Sequence, residues 1–366
     1  MHLRELSLIN FKNYEEAQFT FSEGINCFVG NNGSGKTNVL DAVHYLASCK
    51  SYFNPVDRHN IRLEAPFFVV EGLYERNGKD ERVYCGVKKG AKKQFKRNKK
   101  EYERLADHIG MFPVVIISPY DRDLITEGSD VRRKFIDSVI SQSDKNYLDQ
   151  LISYNKLLAQ RNALLKFFAA NHTFDNTGLQ VYNEQMSSLA HHIFDKRKQF
   201  IDVLTPIFSK YYKAISGGQE EVVLQYHSQL HDATMADLYD NNLQKDLALQ
   251  YTSVGIHKDD LQFTLSERPI KKMGSQGQQK SFLVALKLAQ FDLVKEGIGF
   301  NPILLLDDIF DKLDDNRVEE IVRLVAEHHF GQIFITDTHA GRTEEIVKKL
   351  DEDYKMFHIN KGEIVS

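Results

Sequence analysis

The sequence predicts an α/β fold, a mixed sheet with flanking helices that is interrupted by a mainly helical second lobe. Two observations predict it. Strand-like and helical segments alternate at both ends of the chain, and a long polar stretch from about 129 to 245 carries apolar residues at helical spacing. We therefore assign residues 1–125 and 250–366 to one lobe and residues 126–249 to a helical lobe inserted into it. The 366 residues are enough for two such units.

Short apolar or alternating segments define the elements of the first lobe. Strands are predicted over residues 3–9, 17–21, 25–29, 67–74, 82–87, 113–117, 261–265, 303–307, 332–336 and 354–359, and helices over 276–296 and 315–329. The strands at 67–74 and 82–87 form a hairpin, because Asn77-Gly78 between them is favoured in tight turns.

Composition and charge exclude several classes of protein. The formal net charge is −4, so no overall positive field attracts nucleic acid, and any basic surface must be local. The cysteines Cys27, Cys49 and Cys85 lack C-x-x-C spacing, which argues against a disulfide scaffold and a structural zinc site. No apolar run approaches the roughly 18 residues of a membrane helix, and the N-terminus begins no secretion signal. We expect a soluble, cytoplasmic protein.

Residues 30–37, GNNGSGKT, match the phosphate-binding loop pattern G-x-x-x-x-G-K-[ST]. The loop consists of Gly30, Asn31, Asn32, Gly33, Ser34, Gly35, Lys36 and Thr37. Its glycines let backbone N–H groups point at a phosphate chain, Lys36 reaches the β- and γ-phosphates, and the Thr37 hydroxyl is placed to bind Mg²⁺. A strand precedes the loop and an apolar helix follows it. This context favours nucleotide binding over a chance Gly-rich turn.

The predicted strand at 303–307 supplies the second part of the nucleotide site. Four aliphatic residues precede Asp307 and Asp308, the continuous pattern of a strand buried on both faces of a parallel sheet. We expect Asp307 to hold Mg²⁺ directly or through water, and Asp308 to orient or deprotonate the attacking water. The alternative is a buried strand that ends in an ordinary acidic turn.

Two further segments narrow the class of nucleotide-binding protein. The first is Ser275-Gln276-Gly277-Gln278-Gln279-Lys280, which opens an apolar helix where a hydroxyl and backbone N–H groups can bind an anion. The second is Phe310-Asp311-Lys312-Leu313-Asp314, just after the acidic pair. Their order resembles the ABC-type ATPases, in which a signature, here Ser275, Gly277 and Gln278, faces the γ-phosphate of ATP bound to a second protomer. Taken alone, Ser275 is equally well explained as an ordinary helix N-cap.

The chain as a whole resembles the RecF family of bacterial DNA replication and repair ATPases, which are related to the SMC and Rad50 heads. Besides the P-loop, the matching blocks are Leu8-Ile9-Asn10-Phe11-Lys12-Asn13-Tyr14, Ser118-Pro119-Tyr120-Asp121, Arg132-Arg133-Lys134-Phe135-Ile136-Asp137, Gly255-Ile256-His257-Lys258-Asp259-Asp260, the signature, and Leu304-Leu305-Leu306-Asp307-Asp308-Ile309-Phe310 with Leu313-Asp314. They extend along the whole chain, and their order is more specific than any single block.

The sequence departs from the RecF pattern in two places and from that of ABC transporters in a third. Lys12 stands where the family has Arg, and lysine lacks the bidentate fork, so a phosphate contact by this residue would be weaker. Ile256 and Lys258 replace the family's Pro and Arg, which puts any role of those side chains in doubt. Asp308 stands where ABC transporters have Glu, and its shorter arm is consistent with slow hydrolysis. His339 follows a predicted strand, but we expect a surface histidine rather than a catalytic one.

The resemblance implies an ATP- and Mg²⁺-dependent ATPase of recombinational repair and replication that is weakly active and stimulated by DNA. Lys36 and Asp308 would be its catalytic residues. ATP would be sandwiched in a head-to-tail homodimer that clamps double-stranded, gapped or junction DNA, and slow hydrolysis would release the DNA. The resemblance further implies that the protein supports RecA loading together with RecO and RecR.

A basic segment between residues 88 and 100 gives independent support for a DNA partner. It contains Lys88, Lys89, Lys92, Lys93, Lys96, Arg97, Lys99 and Lys100, with no acidic residue among them. In a protein of net charge −4, such a segment is suited to the phosphate backbone of DNA, and no base-reading motif accompanies it. The alternative is a solvated, mobile hairpin or loop.

Three other functions remain open at this point. One is the nucleotide-binding subunit of a transporter. The about 265 residues that separate the P-loop from the acidic strand argue against it. Another is a small-molecule kinase of the P-loop class, which would need no signature that acts across a dimer. The last is a scaffold that binds ATP but never hydrolyses it. In such a scaffold Asp308 would have no catalytic role.

Overall fold

The structure is a computed structural model that describes residues 1–218, 220–310, 314–328, 330–350 and 353–365. The strands are β1 His2–Ile9, β2 Glu16–Thr20, β3 Ile25–Val29, β4 Phe67–Arg76, β5 Lys79–Lys88, β6 Gln94–Arg97, β7 Lys100–Glu101, β8 Val114–Ile117, β9 Val222–His227, β10 Asp260–Leu265, β11 Arg268–Pro269, β12 Ile303–Asp307, β13 Ile333–Asp337, β14 Tyr354–Asn360 and β15 Glu363–Ile364. The helices are α1 Lys36–Ser48, α2 Asp123–Thr126, α3 Ser129–Ser143, α4 Lys145–Asn171, α5 Asn176–Ser216, α6 Met235–Leu249, α7 Ile270–Met273, α8 Gln276–Ile298, α9 Asp315–His328 and α10 Ala340–Lys348.

The chain divides into two compact units. The first comprises Met1–Arg122, Tyr211–Gly218 and Ser275–Ser366, and the second comprises Asp123–Lys210 and Gln219–Gly274. The sequence-based boundary at 249/250 differs from this division, since residues 250–274 fall in the second unit. The reason is strand pairing, because β10 pairs with β9 and β11 and with no strand of the first unit among the described residues.

Within the described residues, the strands of the first unit form two six-stranded sheets. The antiparallel sheet has the order β2-β1-β4-β5-β6-β7, and its β4–β5 turn places Asn77 and Gly78 at φ 53° and 71°, as a tight hairpin turn requires. The other sheet has the order β15-β14-β3-β13-β12-β8, and it is parallel from β14 to β8. The predicted mixed sheet with flanking helices is therefore confirmed.

One hydrophobic core, rich in aromatic rings, includes residues from both sheets of the first unit. Phe21 packs edge-on against Phe334 with ring centroids 4.8 Å apart, and Phe28 stacks on Phe357 at 5.1 Å. These rings come from β3, β13 and β14 and from the residue after β2. The core thereby holds the central parallel strands in place, and their carboxyl ends, where ligands bind in such sheets, form one edge.

The second unit is mainly helical and contains a buried ionic network. Arg197 of α5 lies between Asp137 of α3, at 3.0 Å, and Asp259, at 2.9 Å, and it also donates to the carbonyl of Ile256. This arginine joins two of the family blocks recognised in the sequence. The helical region expected to run to about 245 is interrupted by β9, whose six residues pair with β10. In the part of the chain that the structure describes, no helix has the length and apolarity needed to cross a bilayer.

Candidate nucleotide site

The P-loop connects β3 to α1 at the carboxyl edge of the parallel sheet. Gly30, Gly33 and Gly35 have φ values of 153°, 75° and 120°, a region that favours glycine. At Gly30 a Cβ atom would also lie 2.2 Å from the carbonyl oxygen of Ile359, so the loop has no room for a side chain there. The glycine spacing read from the sequence is thus required by the backbone of the loop.

Two neighbouring side chains shape the loop from the β1–β2 connection. The amide of Asn13 donates to the carbonyl of Ser34 at 2.9 Å and accepts from Asn38 at 2.6 Å. The Tyr14 hydroxyl donates to the carbonyl of Gly35 at 3.1 Å. These contacts use carbonyl oxygens of the loop, while the N–H of Ser34 donates to the carbonyl of Asn31 at 3.2 Å.

Lys12, the neighbour of Asn13, contacts a carboxylate of its own protomer. Its Nζ forms an ion pair with Asp41 of α1 at 2.5 Å and lies 5.2 Å from the centre of the Phe53 ring. Asp41 is fully buried and also accepts from Ser51 and from the backbone N–H of Tyr52. Lys12 therefore balances a buried charge on α1.

Lys36 is folded back onto its own loop. Its Nζ donates to the carbonyl oxygens of Gly30 at 2.8 Å and Asn31 at 3.0 Å. Burial lowers the pKa of Lys36, and the nearby carboxylates of Asp308 and Asp307 act against this effect. The ammonium group thus lies in the loop beside the acidic residues of the site.

Asp307 is the centre of the site, at the end of β12. Its Oδ1 accepts from the hydroxyls of Thr37 and Thr336, both at 2.8 Å, and its Oδ2 accepts from the Ser118 hydroxyl at 3.3 Å. Asp307 is 4% exposed, and burial raises its pKa. The contact with Thr37 joins the P-loop to the acidic strand, 270 positions later in the sequence.

Asp308 adopts a left-handed backbone conformation with φ 49°, which is uncommon outside glycine. Its N–H donates to the Thr336 hydroxyl at 3.1 Å, and its carbonyl accepts from Lys280 at 3.3 Å. Backbone strain of this kind persists where surrounding contacts hold it, and it is concentrated at functional sites. The backbone of Asp308 is thus held by contacts to both of its polar groups.

The signature begins α8, and Ser275 is its N-cap. The Ser275 hydroxyl accepts from the N–H of Gln278 at 3.2 Å, while the Gln278 side chain accepts from the N–H of Ser275 at 2.7 Å. This is a capping box. A Cβ atom on Gly277 would lie 2.7 Å from a guanidinium nitrogen of Arg317, so the glycine makes room for that side chain. The N-cap explanation of Ser275 is therefore correct within one protomer, and it leaves its hydroxyl hydrogen to be donated.

The loop after the acidic pair is only partly described. Asp311, Lys312 and Leu313 lie outside the described residues. Asp314 accepts from the N–H of Arg317 at 3.0 Å, and the side chains of these two residues form an ion pair at 3.2 Å. This pair lies beside Gly277 of the signature, because Arg317 is the residue that Gly277 accommodates.

The two histidines considered in the sequence, His257 and His339, have different surroundings. His257 lies in the second unit between the Tyr154 hydroxyl at 2.9 Å and the carbonyl of Thr252 at 3.0 Å, and burial lowers its pKa to about 4. His339 is exposed at the start of α10, and its N–H donates to Asp337. Asp337 in turn binds Arg342 at 2.7 Å.

The P-loop and its neighbours fit a phosphate chain and a hard cation. In the described chain the Ser34 hydroxyl is buried without a hydrogen-bond partner, which marks a polar position that a ligand can satisfy. Thr37 and Asp307 present a hydroxyl and a carboxylate oxygen, which are the donors that Mg²⁺ prefers. No cluster of three or more His, Cys, Asp or Glu suited to a metal occurs among the described residues, so a cation here would need phosphate oxygens or water as further ligands.

The basic segment is a β-hairpin whose charges are not all equivalent. Phe95 of β6 is buried in the core. Lys93 forms an ion pair with Asp57 at 2.8 Å, and Arg97 donates to Glu81 at 2.7 Å. The exposed members of the segment are Lys88, Lys89, Lys92, Lys99 and Lys100. Three of them lie at the connection from β5 to β6, and two lie at the connection from β6 to β7. Lys96, on β6, lies over the ring of Tyr84, on β5.

Comparison with known proteins agrees with this architecture. The family model described as RecF/RecN/SMC N terminal domain matches residues 2–365. A protein of Flavobacterium johnsoniae named DNA replication and repair protein RecF is 57% identical over 359 residues, which cover 98% of this chain and 100% of the relative. A protein of the same name from Phocaeicola vulgatus is 52% identical and is covered over 98% of its length.

The chain belongs to the RecF family.

Solved structures extend the comparison to the fold. A structure titled as the recombination mediator protein RecF with ATP in the RecFOR pathway is 28% identical to this RecF-family chain, with a TM-score of 0.88 over 99% of this chain and 96% of that one. The SMC head bound to the C-winged helix domain of ScpA is 15% identical with a TM-score of 0.60, over 100% of this chain and 96% of that one, and shows likeness of fold alone. These matches confirm the predicted ABC-type ATPase head.

Sequence reasoning underestimated three residues of the site. Thr336 is predicted from sequence only as the last residue of a strand, yet it bonds both to Asp307 and to the backbone of Asp308. Parallel pairing places it directly opposite Asp307, a register that no single segment reveals. Ser118 and Lys280 were recognised as parts of family blocks, but their partners lie 189 and 28 positions away in the sequence.

Proposed function

We propose that this RecF-family protein is an ATPase of DNA replication and repair that closes as a head-to-tail dimer on DNA when ATP binds and opens when ATP is hydrolysed. The single observation that carries the proposal is the Thr37–Asp307 contact at 2.8 Å, because it joins the P-loop to the acidic strand in one site. Family membership favours DNA repair over the transporter subunit and the small-molecule kinase, the alternatives open from sequence alone.

Each residue of the site has a separate task. The P-loop N–H groups and Lys36 bind the phosphates, and Thr37 and Asp307 would hold Mg²⁺, which offsets phosphate charge when bound. Lys36 donates to the carbonyl oxygens of Gly30 and Asn31, so it must leave these contacts to bind a phosphate. Asp308 orients or deprotonates the attacking water, and its short side chain is consistent with slow turnover.

The signature completes the site from a second protomer. Ser275, Gly277 and Gln278 begin α8, whose N-terminus is a favourable place for an anion. The Ser275 hydroxyl accepts a hydrogen bond within its own helix, so its hydrogen can be donated to the γ-phosphate of the partner's ATP. ATP then acts as a ligand that favours the closed dimer over separate protomers.

The dimer would hold DNA through its phosphate backbone. The exposed members of the basic segment are suited to sequence-independent binding that weakens with salt. We expect gapped or junction DNA to stimulate the weak ATPase, and we expect RecO and RecR to be partners in RecA loading, since structures titled in the RecFOR pathway are similar along the whole chain.

Sedimentation with ADP or ATP, each with and without gapped DNA, tests the proposal. We expect a dimer with ATP alone and a larger dimer fraction when gapped DNA is added. Ser275→Arg should bind ATP as the wild type does but stay monomeric, because the larger side chain blocks the surface that meets the partner's nucleotide. A wild-type monomer under every condition would exclude the dimer, and a normal Ser275→Arg dimer would exclude the role of the signature.

The variant Asp308→Asn distinguishes the proposed ATPase from a scaffold that binds ATP without hydrolysing it. We expect this variant to dimerise with ATP and to keep the nucleotide bound far longer than the wild type. An unchanged ATP lifetime would show that Asp308 has no catalytic role.

A further inference from the structure

The helix that carries the signature also contacts the acidic residues of its own protomer. α8 starts with the Ser275 capping box, and every residue from Ser281 to Phe291 is buried in the first unit. A helix held in this way responds as a rigid element when its N-terminus is displaced. The contacts that α8 makes further along therefore change when the signature at its N-terminus moves.

The first of these contacts is made by Lys280. Its Nζ donates to the carbonyl of Asp308 at 3.3 Å, while the N–H of the same aspartate donates to Thr336 at 3.1 Å. The backbone of Asp308 is thus held at both of its polar groups, in a left-handed conformation with φ 49°. Because the direction of a side chain follows from its backbone, these two contacts set where the Asp308 carboxylate points.

A second connection reaches Asp307 through buried groups. Lys287 of α8 forms an ion pair with Asp121 at 2.8 Å, and both side chains are almost fully buried. Asp121 accepts from the N–H of Ser118 at 2.8 Å, and the Ser118 hydroxyl donates to Asp307 at 3.3 Å. The signature helix is thus connected to both acids of its own site.

We propose that Lys280 is a positioning residue for Asp308 of its own protomer, so that one helix serves both ATP sites of the dimer. The proposal rests on the head-to-tail dimer put forward above. The N-terminus of α8 meets the partner's nucleotide, whereas Lys280, about 7.5 Å further along the helix, holds the acid that acts on the protomer's own nucleotide. Ser275 therefore acts across the dimer, and Lys280 acts within its own protomer.

Mixed dimers distinguish these two modes of action. Asp308→Asn protomers are added in large excess, so that nearly every active protomer has an inactive partner and hydrolyses ATP in its own site alone. The active protomer is either the wild type or Lys280→Met, which removes the donor and keeps the length of the side chain. Lys280→Arg tests rescue of the donor, and Lys295→Met, about 22 Å further along the same helix, is the matched control.

We expect Lys280→Met to dimerise with ATP and to hydrolyse it about tenfold more slowly than the wild type in these mixtures, the change that follows from losing one hydrogen bond to a charged donor. Lys280→Arg should restore most of the rate, and Lys295→Met should match the wild type. Circular dichroism shows whether each variant is folded.

Three results overturn the inference. The first is a wild-type rate for Lys280→Met in the mixtures, since its intact partner would then supply what is missing. The second is failure of a folded Lys280→Met to dimerise, and the third is a loss of rate that Lys280→Arg does not restore. Failure of the wild type to dimerise with ATP, or hydrolysis by Asp308→Asn alone, refutes the proposed function instead.

Discussion

Replacement of Thr336 by valine removes a hydroxyl that serves both acids of the site. The Thr336 hydroxyl donates to Asp307 at 2.8 Å and accepts from the N–H of Asp308 at 3.1 Å. Valine has nearly the same shape and is favoured in strands, so β13 should form as before. The change therefore isolates two hydrogen bonds in a buried place.

The magnitude follows from the groups involved. A hydrogen bond to a charged group contributes about 1.5–3 kcal/mol, and one between neutral groups about 0.5–1.5 kcal/mol. We expect the first unit to lose about 2–4 kcal/mol of stability. If only the bond to Asp307 affects catalysis, hydrolysis should fall about 10- to 100-fold, at 1.4 kcal/mol for each tenfold change.

The same variant should change how Mg²⁺ binding depends on pH. Burial raises the pKa of Asp307, and the hydroxyls of Thr37 and Thr336 act against that rise. Without Thr336 the pKa rises further, and because a cation binds the ionised carboxylate, Mg²⁺ affinity should begin to fall at a higher pH than in the wild type.

Mg²⁺-dependent ATP hydrolysis and nucleotide binding, each measured between pH 5 and 8, provide the assay. Thr336→Ser keeps the hydroxyl and should retain most of the activity, and Thr338→Val is a control two residues further along. Wild-type activity in Thr336→Val, or equal damage by serine and valine, would refute the reasoning.

Four other predictions concern the P-loop, the basic hairpin and the second unit. Lys36→Met should abolish ATP binding and leave the circular dichroism spectrum unchanged, which nucleotide titration checks. Replacing Lys88, Lys89 and Lys92 by Gln should weaken DNA binding equally on all sequences and flatten its salt dependence, and a sequence-dependent loss would argue against backbone binding. Arg197→Met should cost about 3–5 kcal/mol in urea unfolding, because it leaves carboxylates buried without their cation. Burial lowers the pKa of His257 to about 4, so the unfolded chain binds the extra proton, and stability should fall as the pH drops from about 6.5 towards 4; His257→Gln should make this fall shallower.

The sequence by itself determined the local parts of this protein. Gly30, Gly33 and Gly35 indicated the P-loop from sequence, and all three have positive φ values that favour glycine. The aliphatic run from Ile303 to Leu306 predicted a strand buried on both faces, with Asp307 and Asp308 at its end. The capping box at Ser275 likewise follows from residues three positions apart.

Tertiary structure decided which of these parts meet. The assignment of residues 250–274 depended on the pairing of β10 with β9, since strand pairing is non-local and leaves no mark on either segment alone. The sequence left a weak phosphate contact of Lys12 open, and in the fold Lys12 pairs with Asp41, because a fully buried carboxylate requires a cation. Thr336 became part of the site only when parallel register placed it opposite Asp307. Spacing along the chain specifies turns, caps and buried strands, whereas the partners of a buried charge are chosen by the fold that removes it from water.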